Sequence, residues 1–369
     1  MSISSGVKSV ILAGGFGKRL RNIYERLPKP MIPYGGSCSL IDFSIRNCVV
    51  SEIQEIVFLT YYQRKELIHY LMKEWGNHPI KLNYCMYNGV YQKNFDDVFA
   101  EVIPPEEKGT ADAIIQNQKY IFSQDCKHIL LLHSDHVYLF DYRPMLEFHL
   151  TQDADITMGY KEIDLEDVRL FGMVKVDQNQ NVTHFIEKPS HPEVPTVFSA
   201  VCIIKAEKLQ YYLEKLAKTK WNYDISKDVI PAMIREGQKV KAYLFQEYWE
   251  DVGSYKIYYH SNMKLLSEKP SLDFDLLPKT WDKKCHTEKV SHRESIYNSI
   301  VPKNFSCHGA FVENSILYPG VFLGADVNIQ NSIVFGPSRI EGRSCLKGAI
   351  VTENSIIQSQ KIEENWKDM

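Results

Sequence analysis

The stretch Val10-Ile11-Leu12-Ala13-Gly14-Gly15-Phe16-Gly17-Lys18-Arg19-Leu20 places three glycines and two cations directly after a short apolar run. Glycines let backbone amides curl round phosphate oxygens, because no Cβ blocks the approach. Arg19, together with Lys29 in Leu27-Pro28-Lys29-Pro30, supplies cations that can neutralise a triphosphate and stabilise charge growing on a departing pyrophosphate. Two familiar phosphate cradles fit poorly. A P-loop ends in Lys-Ser/Thr, which is absent, and a dinucleotide-binding turn needs a third glycine where Leu20 stands. Two carboxylates add to the set: Asp135 follows the run Ile129 to Leu132, and Asp251 follows Tyr248-Trp249. With phosphate oxygens and water, two carboxylates suit Mg²⁺, which takes few protein ligands.

These residues need strands to hold them. Val10 to Ala13, apolar on both faces, reads as an interior strand of a parallel sheet, so the glycine loop lies at the carboxyl edge where open α/β sheets bind ligands. Apolar runs then alternate with helix-period segments: 56–59 then 64–74, 129–132 then 142–151, and 196–204 then 206–217. That alternation predicts βαβ units round a mostly parallel sheet. Residues 269–287 carry Pro270, Pro278 and mixed charges without a period and read as a linker. Beyond it the triplets Asn298-Ser299-Ile300, Asn314-Ser315-Ile316, Asn331-Ser332-Ile333, Gly348-Ala349-Ile350 and Asn354-Ser355-Ile356 beat with short apolar residues between them. This pattern predicts a parallel β-helix with one inward apolar residue per short strand.

Composition narrows the partners. Among 369 residues, 43 Lys and Arg against 46 Asp and Glu give a net charge of −3, so no global positive field favours nucleic acid or an anionic membrane. The eight cysteines form no C-x-x-C pair, which argues against a zinc or redox motif. No run approaches a membrane span and the first residues do not form a leader, so the cytoplasm is the expected location. The twelve histidines show no ligand spacing, and His133 and His136 beside Asp135 read as structural or as supports behind a metal ligand.

The series Leu12-Ala13-Gly14-Gly15-Phe16-Gly17-Lys18-Arg19, Leu27-Pro28-Lys29-Pro30 and Ile41-Asp42-Phe43 resembles the sugar-1-phosphate nucleotidyltransferases, closest to bacterial glucose-1-phosphate adenylyltransferase. The match continues in order through 59–63, 109–114, 134–142, 171–177, 185–189, 226–231 and 248–254. The resemblance implies an α/β fold: a Rossmann-like, mostly parallel sheet nucleotidyltransferase domain over 1–268, a linker over 269–287 and a left-handed parallel β-helix over 288–369. It implies Arg19, Lys29 and Asp135 as catalytic residues, and Leu12, Ala13, Gly14, Gly15, Gly17, Gln63, Gly109 and Thr110 as the nucleotide contacts. Gly172, Glu187, Lys188 and Ser199 would hold the sugar phosphate, and Asp135 with Asp251 the Mg²⁺. The expected substrates are a nucleoside triphosphate and a sugar 1-phosphate, with ATP and glucose 1-phosphate giving ADP-glucose as the first pair and a homo-oligomer, dimer or tetramer, as the assembly.

The chain also departs from that pattern. Ser134 replaces a glycine before Asp135, Ser199-Ala200-Val201 replaces a second, and Glu107-Lys108 replaces an aromatic-cation pair. These changes leave open a guanylyl or other nucleotidyltransferase acting on a different sugar or cyclitol 1-phosphate. Gly36-Ser37-Cys38-Ser39 stands where activator-binding relatives carry cations, so little activation by fructose bisphosphate or phosphoglycerate is expected. Two rival classes fit less well: a non-catalytic regulatory subunit, against which the retained Arg19, Lys29, Asp135, Lys188 and Asp251 argue, and an acyltransferase built on the β-helix, for which the repeat is too short.

Overall fold

The strand beneath the glycine loop is longer than its apolar signature. It runs Val7–Ala13, with Lys8 and Ser9 buried in it. Lys8 is accommodated because its ammonium donates to the Tyr120 carbonyl at 2.8 Å and lies 3.4 Å from Glu55 Oε1. Glu55–Thr60 and His128–His133 flank this strand and run parallel to it, with Val10 opposite Val57 and Leu131, so it is interior as expected. The structure, a computed structural model, describes residues 3–15, 17–20, 23, 27–60, 64–86, 89–91, 108–280 and 287–367.

The chain divides into two compact units. The first comprises Met1–Gly14, Ser44–Ser134 and Phe140–Glu247, the second Gly15–Phe43, Asp135–Leu139 and Tyr248–Met369. The first unit is a Rossmann-like α/β fold around a mostly parallel sheet, ten-stranded among the described residues. Helices Arg64–Trp75, Arg143–Thr151 and Ala206–Leu216 occur where the alternation predicts them. Thr196–Lys205 differs in direction, since it pairs antiparallel with both His128–His133 and Ile156–Glu162. Its register shifts between Phe198 and Cys202, where Ala200 takes φ +58°. Val10, Val57, Leu131, Cys202 and Ile204 face the sheet core together with Ile114, Leu209 and Met233.

In the second unit the Asn-Ser-Ile triplets build a left-handed parallel β-helix. Asn298, Asn314 and Asn331 turn the corner at φ +38°, +44° and +47°, a conformation asparagine tolerates well, and Gly348 continues the row at +61°. The serines stack as a ladder. Ser299 Oγ accepts from Ser315 N, Ser315 Oγ from Ser332 N and Ser332 Oγ from Ala349 N, each at 3.0 Å. Ile300, Ile316, Ile333 and Ile350 follow in register and are buried. The fifth triplet breaks the row: Ile356 is 72% exposed, and Ile357 faces inward beside Ile340 instead. Trp366 joins the core that includes Ile350, together with Tyr258, Tyr259 and Leu272. The segment expected to be a linker is packed over its described part, with Leu272, Phe274 and Leu277 buried and Lys279 Nζ lying 3.7 Å from the Phe274 ring centre. Among the described residues, no helix is long and apolar enough to cross a membrane.

Candidate active site

Two groups of side chains carry the candidate chemistry, one in each unit. In the second unit, short strands His136–Tyr138 and Trp249–Asp251 pair antiparallel, setting Asp251 opposite His136. Asp135 immediately precedes the first strand, and its carbonyl accepts from Val252 N at 3.3 Å. His136 Nε2 lies 3.7 Å from Asp135 Oδ1 and 3.8 Å from Asp251 Oδ1, so one imidazole faces both carboxylates. The ring is buried, while the two carboxylates keep 22% and 32% of their side-chain surface open. Oxygen donors that remain part-exposed fit a hard divalent cation that keeps several waters.

Lys29 Nζ donates to Asp135 Oδ2 at 2.5 Å, with only 12% of the lysine side chain exposed. The glycine loop seats this lysine. Gly17 sits at φ +58°, and a Cβ there would lie 2.7 Å from Lys29 Cβ, closer than any two side-chain stems can approach. Gly15, by contrast, has no atom of the described residues beyond its chain neighbours within 4 Å of the corresponding position. The exposed Arg19 belongs to the turn Lys18–Leu20, and a Cβ on Gly253 would lie 3.7 Å from both Arg19 Nη2 and Asp251 Oδ1. The second unit therefore brings together Arg19, Lys29, Asp135 and Asp251 from distant parts of the chain. Within the first unit, Leu12 and Ala13 end their strand beside His133 and Thr60, with Gly14 following at the sheet's carboxyl edge. Gln63 lies outside the described residues.

The other group occupies the antiparallel half of the first unit. Gly172 pairs with Glu187 across the hairpin of Gly172–Val176 and Val182–Glu187, and a Cβ on Gly172 would meet the Phe185 ring at 2.5 Å. Gly172 is thus required by aromatic packing. Lys188 follows at φ +50°, held there as its amide donates to the Phe171 carbonyl at 2.9 Å. Its side chain is 61% exposed, with Nζ 3.8 Å from Glu187 Oε1. Burial raises the Glu187 carboxyl above its ordinary range, opposed by the Lys188 charge and reinforced by Asp224.

Gly109 and Thr110 meet the loop that carries Asp224. A Cβ on Gly109 would lie 2.4 Å from the Tyr223 carbonyl oxygen, which also accepts from Ala111 N at 2.9 Å. Thr110 Oγ1 accepts from Ile225 N at 2.9 Å and donates to Asp224 Oδ2 at 3.5 Å. Asp224 Oδ1 in turn caps the following turn through Ser226 N and Lys227 N, both at 2.9 Å. Tyr223 and Asp224 carry no functional motif in the sequence; an Asp two residues before Ser226, just ahead of an apolar run, is their capping signal. Ser199 is fully buried and its hydroxyl donates to the Gly159 carbonyl at 2.9 Å, so its side chain secures a strand pair and faces no solvent.

Comparison with known proteins identifies the family. A model of the nucleotidyl transferase family matches residues 8–268, and one of the GlmU-like, C-terminal hexapeptide family matches residues 282–365. The valienol-1-phosphate guanylyltransferase of Streptomyces hygroscopicus subsp. limoneus is 36% identical over 331 residues, 88% of each chain. Glucose-1-phosphate adenylyltransferase of Acetivibrio thermocellus is 32% identical over 355 residues, 94% of this chain and 80% of the relative. That of Bacillus mycoides is 30% identical over 368 residues, 97% of this chain and 88% of the relative. The chain belongs to the nucleotidyl transferase family and is a sugar-1-phosphate nucleotidyltransferase.

Proposed function

We propose that the protein transfers a nucleotidyl group from ATP or GTP to a sugar or cyclitol 1-phosphate, releasing pyrophosphate. The observation that carries this reading is the gathering of Lys29, Arg19, Asp135 and Asp251 in one unit. A sugar 1-phosphate has a second pKa near ~6, so its oxygen is largely ionised at neutral pH and needs no general base. That oxygen attacks the α-phosphorus, the bond from the α-phosphorus to the bridging oxygen breaks, and the electron pair leaves with pyrophosphate. Arg19 and Lys29 offset the charge on the departing group. Lys188 binds the acceptor phosphate, and Glu187 accepts from hydroxyls of the acceptor ring. Asp135 and Asp251 hold Mg²⁺, which when bound neutralises charge on the triphosphate.

The relatives' names supply two substrate pairs for this chain, glucose 1-phosphate with adenylyl transfer and valienol 1-phosphate with guanylyl transfer. We favour the second because, of these two relatives, the guanylyltransferase is the more similar, 36% identical against 32%. The test is pyrophosphate release from ATP, GTP, UTP and dTTP, each against glucose 1-phosphate and valienol 1-phosphate. Turnover with GTP and valienol 1-phosphate supports the favoured pair; turnover confined to ATP and glucose 1-phosphate replaces it with the adenylyl reading.

A further inference from the structure

His136 presents one ring nitrogen to two carboxylates and the other to an indole. Trp249 Nε1 donates to His136 Nδ1 at 3.2 Å, and the rings meet edge to face at 85° with centroids 5.3 Å apart. An indole nitrogen can only donate, so Nδ1 must offer its lone pair and the imidazole hydrogen sits on Nε2. The nitrogen facing Asp135 and Asp251 therefore carries a hydrogen and has no lone pair to give a cation. Both rings are buried, His136 at 4% exposure and Trp249 at 7%, so neither turns over without disturbing the packing between their strands.

Imidazole lone pairs draw zinc, cobalt and nickel, whereas carboxylate and water donors suit magnesium and manganese. We propose that Trp249 is a positioning residue that tunes the metal preference of the Asp135–Asp251 pair, by holding His136 with its N–H forward and so keeping that imidazole out of the donor set. This rests on the reading of those carboxylates as cation ligands. Trp249→Phe would keep the aromatic packing but delete the N–H. The imidazole hydrogen is then at liberty to move to Nδ1, which turns a ligating lone pair toward the carboxylates.

The experiment measures binding of Mg²⁺ and Zn²⁺, each alone, by calorimetry to the full chain, and the visible spectrum after loading with Co²⁺. In Trp249→Phe the affinity ratio of Zn²⁺ over Mg²⁺ rises by about tenfold, the scale on which groups behind a ligand act, and the Co²⁺ bands intensify and shift as nitrogen enters. Trp249→Phe combined with His136→Gln returns both readouts to the wild-type pattern. An unchanged ratio and Co²⁺ spectrum in Trp249→Phe overturns the inference while leaving the metal reading intact. Absence of divalent-cation binding by the wild-type protein overturns the metal reading itself. Should Trp249→Phe fail to fold, NMR of the wild-type chain labelled with ¹⁵N-histidine reads the same point: Nε2 protonated and Nδ1 bare is the expected result, and the reverse refutes the proposal.

Discussion

Replacing Gly17 by alanine separates two roles that the glycine loop combines. Gly17 stands at φ +58°, where a residue with a Cβ is strained by about 1–2 kcal/mol. The new Cβ would also lie 2.7 Å from Lys29 Cβ, an atom fixed to the backbone, so the two segments must part by roughly 1 Å to reach normal contact. Strain and overpacking together cost about 2–4 kcal/mol of stability. The displaced lysine also loses its 2.5 Å contact with Asp135, and a 1 Å misplacement of a positioned group costs on the order of 10²-fold in kcat/KM. Gly15→Ala is the control, because among the described residues no atom beyond the chain neighbours lies within 4 Å of the added methyl. Urea unfolding and pyrophosphate-release kinetics on both variants give the answer. Gly17→Ala should lose stability and rate together, while Gly15→Ala should unfold at the wild-type urea midpoint and lose rate only through its effect on the bound phosphates. Gly17→Ala with wild-type stability and rate would refute the seating of Lys29.

Two further outcomes follow from single residues. Lys188→Gly relieves the left-handed conformation at φ +50° and should stabilise the fold by about 0.5–1 kcal/mol in urea, while lowering kcat/KM for the acceptor by about 10–100-fold through loss of a charge-assisted contact. Lys188→Ala should share the kinetic loss without the gain in stability. Burial lowers His149 to about 3, with its Nε2 3.1 Å from His128 Nδ1 and its Nδ1 2.8 Å from Thr157 Oγ1. The unfolded chain takes up that proton near pH ~6.5, so stability is lost as pH falls from there toward 3, at about 1.4 kcal/mol per pH unit. The drop in unfolding free energy between pH 7 and pH 5 should therefore shrink by about 2 kcal/mol in His149→Gln, and an unchanged drop would contradict the burial argument.

The parts of the fold that were legible are those in which one residue type repeats for one reason. The sixteen- and seventeen-residue return of Asn-Ser-Ile encodes corner, ladder and core in three consecutive letters, and the β-helix follows from it. The same letters at Asn354-Ser355-Ile356 misled because their place in the coil differs, and only the register with Arg339-Ile340-Glu341 shows that Ile357 faces in. Strand direction at Thr196–Lys205 was not legible, since an apolar run reads the same in either sense. The buried Lys8 shortened the first strand in the sequence reading because its partners Tyr120 and Glu55 come from elsewhere in the chain.

Candidate site residues divided on similar lines. Asp135, Asp251 and Lys29 stood out by type and by neighbouring strands, and they gather in one unit. The reasons for several glycines were tertiary: Gly17 makes room for Lys29, Gly109 for the Tyr223 carbonyl and Gly172 for Phe185. The resemblance places Ser199 at the sugar phosphate, and the structure shows its hydroxyl donating to the Gly159 carbonyl in the core. The orientation of His136 depends on Trp249, more than a hundred residues away, and no spacing rule reaches that far.

The most direct test of the central claim is pyrophosphate release by the wild-type protein and by Asp135→Asn, both shown to be folded, with Mg²⁺ and the substrate pair that the panel selects. Release by the wild type only when nucleoside triphosphate and 1-phosphate are both present, and slower by at least about 10³-fold in Asp135→Asn, is the predicted result. A folded wild-type protein that releases none with any pair, or an Asp135→Asn variant that matches it, would contradict the account.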